Sequence, residues 1–436
     1  MKFGTDGVRG RANTELTADI ALRLGRAAAR VLQPVCAVVG GDSRLSTPML
    51  EAAFVAGLAS EGVCVVRLGV TPTPAVAFEA ARTGAMGAVI SASHNPFYDN
   101  GIKLFAPGGT KLADDVEARV EAEMAALPAP TAEAGEVHGR RDASLYVQHL
   151  VGALDGRGLD GLRVLVDAAN GAASHVVRDV FGATGAMVHV IHAAPNGQNI
   201  NAGCGATAPA SLQRAVVEGG ANVGIALDGD ADRLIAVDEL GNLVDGDHVI
   251  AILAKDLDAR GELKERTVVT TVMANLGFKI AMEAAGIRVV ETAVGDRYVL
   301  EALGGGYSLG GEQSGHVIFS DLATTGDGML TGLLLLDAVA RSGRTLSELA
   351  EASMTQLPQV LVNIAVGVRP ADVAELLATE IAAAEAQLDG AGRVLVRSSG
   401  TEPLVRVMVE ATSAEQAQTV ADSLASAVRS HPDLRG

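Results

Sequence analysis

One strand–helix–strand pattern recurs three times along the chain and limits the possible folds more than any other feature. The copies begin with PVCAVVGGDSR, GLRVLVDAANG and RTVVTTVMANLG, and each ends its third apolar run in a short loop of small and polar residues. Continuous β-branched runs that alternate with helical segments indicate parallel strands covered on both faces. Because open α/β sheets bind ligands at the carboxyl ends of their strands, the repeat predicts three domains with one candidate loop each.

The last part of the chain departs from this repeat. From Gln359 it predicts a strand, a long helix from about Pro370, an antiparallel strand pair and a final helix that Ser413 and Gln416 begin as a capping box. The predicted fold class is therefore α/β, with three repeated βαβ-type mixed-sheet domains plus a C-terminal α+β domain, arranged as four domains around a central active-site cleft. The predicted domains are 1–155, 156–253, 254–358 and 359–436.

Charge and composition exclude several classes of partner. The 436 residues include 52 acidic and 34 basic ones, for a net charge of −18, and no Lys/Arg-rich block stands out. This composition predicts neither a nucleic-acid nor a membrane partner. The N-terminus lacks the apolar core of a signal peptide, and Cys36, Cys64 and Cys204 lack metal-ligand spacing. We therefore expect a cytoplasmic protein with reduced, buried thiols.

The loop of the second repeat, DGDADR, places Asp228, Asp230 and Asp232 at a spacing of two. On an extended chain these side chains share a face. Two unit charges about 4 Å apart repel by about 4 kcal/mol at an effective dielectric of about 20, so a divalent cation with oxygen ligands is the simplest compensation. An EF-hand is excluded because Arg233 stands where that loop needs glycine. A solvated acidic turn remains the alternative.

The loop of the first repeat, SASHNP, offers Ser93 as a hydroxyl nucleophile beside His94. A serine hydrolase is not supported because the chain has no G-x-S-x-G elbow around this serine. By itself this loop would be interpreted as a strand-end turn held by serine and asparagine side chains.

Two further loops carry groups suited to sugars and phosphates. GEQSGH offers Glu312, Ser314 and His316 for hydrogen bonds to hydroxyls, although glycine-rich polar turns are common. RSSGTEP, flanked by Arg397 and Arg406, combines hydroxyls, backbone N–H groups and guanidiniums as a phosphate cradle would. A plain hairpin turn is the alternative for the second of these loops.

Five motifs together carry a resemblance that no single loop carries. They occur in the order FGTDGVRG at 3–10, SASHNPFYDNGIK at 91–103, DGDADR at 228–233, GEQSGH at 311–316 and RSSGTEP at 397–403. In these motifs, and over essentially its whole length, the chain resembles the α-D-phosphohexomutases. GEQSGH and GDRYV at 295–299 resemble the branch that acts on glucosamine phosphates.

The resemblance implies a role for each motif residue. Ser93 would carry a phosphoryl group, and together with that phosphate the three aspartates Asp228, Asp230 and Asp232 would bind Mg²⁺. The sugar hydroxyls would be held by Glu312 and Ser314, and the phosphate that is not reacting by Arg397, Ser398, Ser399, Gly400, Thr401 and Arg406. Further cations of the site would be Arg9, Arg44, Lys103, Arg233 and Arg297. The proton-transfer candidates are Lys103 and His316, and the supporting residues of the serine loop are His94 and Asn95.

The implied reaction interconverts glucosamine 6-phosphate and glucosamine 1-phosphate through a phosphoserine and a bisphosphorylated sugar, which supplies UDP-N-acetylglucosamine for cell-wall synthesis. Glucosamine 1,6-bisphosphate or glucose 1,6-bisphosphate would prime the serine, and the partner would be a small phosphosugar. The alternatives are a phosphoglucomutase or phosphomannomutase, an inactive phosphosugar-binding regulator, and a metal-dependent phosphatase. The sequence leaves the oligomeric state open, with a homodimer as one option.

Overall fold

The computed structural model describes residues 4, 7–130, 132–139, 142–367, 372–398 and 404–434. The chain divides into two compact units. The first comprises Met1–Met273 and Gly286–Ser353, and the second comprises Ala274–Ala285 and Met354–Gly436. Within the described residues, every helix is too short or too polar to cross a membrane.

The first unit begins with a six-stranded sheet. Its elements are β1 (Val8–Arg11), α1 (Ala18–Leu32), β2 (Cys36–Gly41), α2 (Thr47–Ser60), β3 (Cys64–Val70), α3 (Thr73–Thr83), β4 (Met86–Ile90), β5 (Asp99–Phe105), α4 (Asp114–Ala125) and β6 (Val137–Gly139). The strand order is β1-β5-β4-β2-β3-β6. Helices α1 and α2 meet at Gly25 and Gly57, where an added Cβ would lie 2.3 Å and 2.2 Å from a carbonyl oxygen of the facing helix. Only glycine permits this approach.

The second sheet has five strands. Its elements are α5 (Ser144–Gly152), β7 (Arg163–Asp167), α6 (Val177–Gly182), β8 (Met187–Ile191), α7 (Ala210–Gly219), β9 (Val223–Leu227), β10 (Leu234–Asp238) and β11 (Leu243–Val244). The strand order is β11-β10-β9-β7-β8. Strands β7 and β9 are buried along almost their whole length, as expected for the centre of a sheet covered on both faces.

The third sheet has four strands. The elements are α8 (Gly246–Ala259), β12 (Thr267–Thr271), α9 (Leu276–Ala284), β13 (Arg288–Thr292), α10 (Asp296–Leu303), β14 (Leu309–Gly311), β15 (Val317–Phe319), α11 (Gly328–Ser342) and α12 (Leu346–Ser353). The strand order is β13-β12-β14-β15. The predicted boundary between 253 and 254 falls inside α8. Helix α9 belongs to the second compact unit, although its sequence lies in the third repeat.

The three sheets share one topology, which confirms the predicted repeat. In each sheet, the first strand of the repeat lies between the second and the third strands and is parallel to both. In each, a fourth strand then returns antiparallel beside the third: β5 beside β4, β10 beside β9, and β15 beside β14. The sheets are therefore mixed, as predicted.

The C-terminal part of the second unit is an antiparallel α+β domain. Its elements are β16 (Gln359–Ala365), α13 (Val373–Leu376), α14 (Ala378–Leu388), β17 (Arg393–Ser398), β18 (Leu404–Glu410) and α15 (Ala414–Ser430), and its strand order is β16-β18-β17. Within this unit, Asn275 Nδ2, just before α9, donates to Leu357 O at 3.0 Å. The Ser413 cap is confirmed, because its Oγ accepts from Gln416 N at 3.2 Å.

The predicted long helix from about Pro370 is wrong in its continuity. Pro370 lies outside the described residues. The helix begins after Asp372, whose side chain accepts from the backbone N–H of Ala374 and of Glu375, and it stops within one turn. Leu377, with φ −110° and ψ 21°, separates it from the following helix α14.

The candidate loops occupy equivalent places in the topology. Each joins a strand to its antiparallel neighbour, and we name them the first to fourth site loops: 91–98 between β4 and β5, 228–233 between β9 and β10, 312–316 between β14 and β15, and 399–403 between β17 and β18. The fourth site loop itself lies outside the described residues. The hairpin expected there agrees with the antiparallel pairing of its flanking strands.

Candidate active site

Ser93 is buried in the first site loop and held in a left-handed conformation. Its side chain is 1% exposed and its φ is 50°. Its backbone N donates to Ser91 Oγ at 2.9 Å, and Ser91 Oγ donates to Asp42 Oδ2 at 2.6 Å. Its own Oγ donates to Asp228 Oδ2 at 2.6 Å and lies 3.3 Å from His94 Nδ1. The hydroxyl is therefore fixed between a carboxylate and an imidazole.

Arg44 and Asn201 hold the backbone of the first site loop. Arg44, 1% exposed, pairs with Asp42 at 2.7 Å. It donates to three loop carbonyls, Ser93 O and Asn95 O at 2.8 Å each and Pro96 O, and to Asp99 O at the start of β5 at 3.1 Å. Asn201 Nδ2, from the loop after β8, donates to Ser93 O at 2.9 Å and Asn95 O at 3.1 Å. A non-glycine residue at positive φ costs about 1–3 kcal/mol, and such residues persist where the surroundings over-determine them. These bonds supply that constraint.

The three aspartates of the second site loop are buried and close together. One carboxylate oxygen from each of Asp228, Asp230 and Asp232 lies within 4.8 Å of the other two. Lys103 Nζ lies 3.3 Å from Asp230 Oδ2 and 2.9 Å from Asp232 Oδ2. Asp230 Oδ2 also accepts from Thr73 Oγ1 at 2.7 Å. A solvated acidic turn is therefore wrong, because all three carboxylates are buried.

The donor set fits a hard divalent cation. Asp230 Oδ1 and Asp232 Oδ1 are buried and have no hydrogen-bond partner among the residues that the structure describes. An unsatisfied buried oxygen is costly. Carboxylate oxygens are the ligands that Mg²⁺ takes in proteins, and it retains several further oxygen ligands from water or phosphate. Asp228, Asp230 and Asp232 can therefore hold Mg²⁺ beside Ser93 Oγ.

The aspartates differ in their pKa values. Burial, followed by the charges of Asp232 and Asp230, raises the pKa of Asp228 well above its ordinary value. Burial acts to raise the pKa of Asp232 as well, but the Lys103 ammonium and the His316 ring hold it well below its ordinary value. The carboxylate nearest Ser93 is thus the one that most lacks a cation.

The two histidines of the site are in opposite electrostatic environments. Burial, and after it the charges of Arg233 and Arg9, lowers the pKa of His94 to about 4, so this ring is neutral at neutral pH. Burial also acts to lower the pKa of His316, but the carboxylates of Asp232 and Asp296 raise it overall. His316 Nδ1 lies 3.8 Å from Asp232 Oδ1, which is an ionic contact rather than a hydrogen bond.

The third site loop lies against the end of the second. Gly315 has φ 90°, and an added Cβ there would lie 2.0 Å from Leu234 O, the first residue after the aspartate loop. Leu234 N donates to Gly315 O at 2.9 Å. Glu312 is half-buried and accepts from Gly295 N at 3.2 Å, while Ser314 is exposed. The backbone of the loop that carries Glu312 and Ser314 is therefore packed against the end of the aspartate loop, with glycine required at its turn.

Arg297, predicted as a further cation of the site, contacts carboxylates of α4. Its guanidinium forms an ion pair with Asp114 and lies 2.7 Å from Glu117 Oε2, both on α4. Burial raises the pKa of Glu117 to about 7, although the charge of Lys111 opposes the shift. In this structure Arg297 is therefore engaged by carboxylates of the first sheet's domain and not by the aspartate cluster.

Two arginines flank the fourth site loop on neighbouring strands. Arg397 and Arg406 are direct partners across β17 and β18, so their side chains share one face. Like charges directly opposite each other are destabilising. Burial, and after it the charge of Arg406, lowers the pKa of Arg397. An anion bound at this face would remove the repulsion. Ser398 ends β17, and Ser399, Gly400 and Thr401 lie outside the described residues.

Three residues of this arrangement were not identified from the sequence. Asp42 directly follows the first strand of the first repeat, in GGDSR, and this position just after a strand end was the available signal. Thr73 follows the second strand of that repeat, where the same signal applies. Asn201 lies in an irregular loop, and nothing in the local sequence indicates its bonds to the serine loop.

The chain is similar to known proteins over nearly its whole length. Four domain profiles of the phosphoglucomutase/phosphomannomutase family match it: α/β/α domain I at residues 1–130, α/β/α domain II at 144–241, α/β/α domain III at 245–357 and the C-terminal domain at 361–427. A phosphoglucosamine mutase of Rhodococcus jostii (strain RHA1) is 55% identical over 442 residues, which cover 98% of this chain and 99% of that protein.

Solved structures share the fold to a similar extent. A phosphoglucomutase/phosphomannomutase family protein from Burkholderia thailandensis has a TM-score of 0.82 and 26% identity, with 99% of this chain and 98% of that one covered. N-acetylphosphoglucosamine mutase of Aspergillus fumigatus, solved in complex with GlcNAc-6P and magnesium, has a TM-score of 0.74 and 22% identity, covering 98% and 95%. At that identity the second likeness concerns the fold alone.

Proposed function

Because the chain belongs to the phosphoglucomutase/phosphomannomutase family and, within it, to the phosphoglucosamine mutases, we propose that it interconverts glucosamine 6-phosphate and glucosamine 1-phosphate. It is an isomerase that moves one phosphoryl group between two oxygens of a single sugar. Its partner is a small phosphosugar, and we place the reaction in the cytoplasm. The observation that carries the proposal is the buried Ser93 hydroxyl, hydrogen-bonded to Asp228 at 2.6 Å.

Ser93 acts as the phosphoryl carrier because O1 and O6 of a hexose are too far apart for direct in-line transfer. The phosphoserine P–O bond breaks as the phosphorus bonds to the free sugar hydroxyl oxygen, which loses its proton, and Ser93 Oγ is restored. The bisphosphorylated sugar turns over, and its other phosphate returns to Ser93 Oγ. A covalent intermediate thereby replaces one difficult step by two easier ones. Glucose or glucosamine 1,6-bisphosphate loads the serine initially.

Asp228, Asp230 and Asp232 hold Mg²⁺ in this proposal. When bound, the ion neutralises charge on the phosphoryl oxygens. The chain's own part is to fix the serine: Arg44 and Asn201 bind the loop carbonyls, and burial excludes water that would hydrolyse a phosphoserine.

Proton transfer is assigned to Lys103 and His316. Both lie against Asp232, at 2.9 Å and 3.8 Å, and both are buried. Arg9 and Arg233 supply positive charge close to His94. A neutral His94 beside Ser93 Oγ can accept a hydrogen bond from the restored hydroxyl without adding a charge to the site.

The remaining loops recognise the ends of the substrate. Glu312 and Ser314 bind sugar hydroxyls, and Arg397 with Arg406 binds the phosphate that is not reacting, together with Ser398 and the undescribed loop residues Ser399, Gly400 and Thr401. We assign the four loops to domains 1–155, 156–253, 254–358 and 359–436, in that order. Since either phosphate must fit the same cradle in the two halves of the reaction, guanidinium and backbone donors suit it better than a shape-specific pocket.

A coupled assay of the purified protein tests the proposal. Glucosamine 6-phosphate, glucose 6-phosphate and mannose 6-phosphate are each supplied with glucose 1,6-bisphosphate, with and without Mg²⁺. We expect fastest turnover of the glucosamine phosphate and none in excess chelator. Faster turnover of glucose or mannose 6-phosphate would assign the chain to a phosphoglucomutase or phosphomannomutase activity. Release of inorganic phosphate without isomerisation would favour a phosphatase.

A further inference from the structure

We propose that Asp167, His192 and Cys204 form a second metal site, separate from the three aspartates and suited to a thiophilic ion such as Zn²⁺. Asp167 ends β7, His192 directly follows β8, and Cys204 lies in the loop between β8 and α7. The first two positions are the carboxyl ends of adjacent parallel strands, so the topology brings them together although they are distant in sequence.

The three potential ligand atoms converge. One carboxylate oxygen of Asp167, one ring nitrogen of His192 and the thiol of Cys204 all lie within 4.8 Å of one another. His192 Nδ1 is 2.9 Å from Asp167 Oδ2. At about 2.0–2.2 Å from a zinc ion, nitrogen and oxygen ligands can stand this close to each other. The spacing is therefore that of atoms able to share one ion.

An ordinary structural role explains only part of this cluster. Asp167 accepts from Ala169 N and Gly205 N, both at 2.8 Å, which is what a loop-organising aspartate does. His192 Nδ1, however, is buried and makes no hydrogen bond within the described residues, because its close approach to Asp167 lacks hydrogen-bond geometry. His192 Nδ1 and Asp167 Oδ2 are thus in close contact without a hydrogen bond, and a cation bound by both atoms would satisfy the nitrogen. The lack of a hydrogen bond at His192 Nδ1 therefore favours a role as a metal ligand.

The backbone around the cluster is already organised as a metal site requires. The two N–H bonds to Asp167 fix the orientation of its carboxylate, and Asn170 Nδ2 lies 3.7 Å from Cys204 Sγ. His192 is held at φ 48° while its carbonyl accepts from Asn170 N at 2.6 Å. Such outer contacts orient ligands and tune their affinity. The His192 side chain is 32% exposed, which gives an ion a route from solvent.

The ligand types select the ion. Thiolate and imidazole are preferred by Zn²⁺ and its spectroscopic substitute Co²⁺, whereas Mg²⁺ prefers oxygen alone. Three protein ligands leave a fourth tetrahedral position for water. The two sites of the chain should therefore discriminate between metals by chemistry, even when both ions are present.

An ion here would also restrain the first site loop. Asn201, three residues before Cys204, donates its backbone N–H to Ala169 O at 3.0 Å and its side-chain amide to Ser93 O at 2.9 Å. Fixing 199–205 between Asp167 and His192 therefore stabilises the segment that positions Ser93. In this proposal the ion holds the segment in place and does not take part in phosphoryl transfer.

Cobalt absorption tests the site independently of turnover. Co²⁺ is titrated into the folded chain in excess Mg²⁺, and the near-ultraviolet thiolate-to-cobalt band is followed. The variant Cys36→Ser/Cys64→Ser serves as background, because it leaves Cys204 as the only thiol of three. We expect one equivalent of Co²⁺ to produce the band in wild type and in this background, and excess Zn²⁺ to remove it.

Two variants in that background assign the ligands. Cys204→Ser should abolish the band. His192→Asn removes the imidazole, and asparagine tolerates the positive φ at this position. Loss of an outer-shell partner weakens metal binding by about 10–100-fold. We therefore expect His192→Asn to weaken Co²⁺ affinity by at least about that factor. If circular dichroism shows that Cys204→Ser does not fold, the Co²⁺ affinity of His192→Asn is the deciding measurement. A folded wild type without the band at millimolar Co²⁺, or a His192→Asn affinity equal to that of wild type, would overturn the proposal.

Discussion

Replacing Arg44 by methionine tests how the first site loop is held. The guanidinium is buried, pairs with Asp42 at 2.7 Å and donates to three loop carbonyls and to Asp99 O at the start of β5. Removing one partner of a buried ion pair costs about 3–5 kcal/mol, because the other charge is left uncompensated. A loss of about 3 kcal/mol corresponds to roughly a hundredfold in an equilibrium constant. We therefore expect the loop to open about a hundred times more often.

The double variant Asp42→Asn/Arg44→Met separates the charge from the carbonyl contacts. It leaves no unpaired charge at position 42, and Asn201 still donates to the carbonyls of Ser93 and Asn95. The remaining loss is that of buried acceptors, about 1–3 kcal/mol for each one left unsatisfied. We therefore expect a milder effect than that of Arg44→Met alone.

Hydrogen exchange of the peptide 89–103, read by mass spectrometry, is the appropriate assay because it reports local opening without requiring global two-state unfolding. Turnover measured in parallel should fall in the same order, wild type above the double variant and the double variant above Arg44→Met. Unchanged exchange over 89–103 in a folded Arg44→Met, or a double variant opening as readily as the single one, would refute this account of the loop.

Further predictions concern the chemistry of the site. Ser93→Ala should fold and lose activity by orders of magnitude, and intact-mass analysis should find a fraction of the wild type heavier by one phosphate and no such fraction in the variant; near-normal turnover would contradict the phosphoserine. Asp230→Asn should weaken Mg²⁺ binding measured calorimetrically, and full wild-type activity in excess chelator would exclude the metal assignment. Arg397→Met removes one of two facing like charges, so it should raise the melting temperature without substrate while raising KM for the sugar phosphate; an unchanged KM would remove Arg397 from the cradle. Preference for the glucosamine phosphate over the glucose phosphate should be about tenfold to a hundredfold, from a hydrogen bond to the charged amine, and should decline as pH rises through the pKa of that amine; equal kcat/KM values at neutral pH would contradict it.

The fold was largely predictable because its main signals are local and repeated. Three copies of the same alternation of β-branched runs and helices predict three parallel arrangements, and the structure has them. The break between α13 and α14 at Leu377 was not predictable, since alanine-rich sequence on both sides favours a continuous helix. The grouping of α9 with the C-terminal domain was not predictable either, because it depends on tertiary contacts such as Asn275 with Leu357.

The site likewise contains residues that the sequence predicts and residues that only the folded structure identifies. Ser93 and the three aspartates could be predicted because five motifs in a fixed order carry the resemblance, although each loop alone also suits an ordinary turn. Asn201 and Thr73 contact the same loops from distant segments, at sequence separations of 108 residues from Ser93 and 157 from Asp230, respectively. Only the folded chain brings them there. Arg297 shows the opposite case, in which a motif residue contacts α4 carboxylates that no motif includes.

The hairpin placement of the site loops has a consequence for the entropy of binding. Partner residues across an antiparallel pair lie about 4.5–5.5 Å apart, so the two ends of each loop are fixed before any ligand arrives. In the first three site loops only residues 91–98, 228–233 and 312–316 lie between the strand ends. The conformational freedom of a loop grows with its length. Short loops with fixed ends have few conformations to lose when the sugar phosphate binds. The interaction energy of the substrate is therefore available for transition-state stabilisation instead of for ordering the protein.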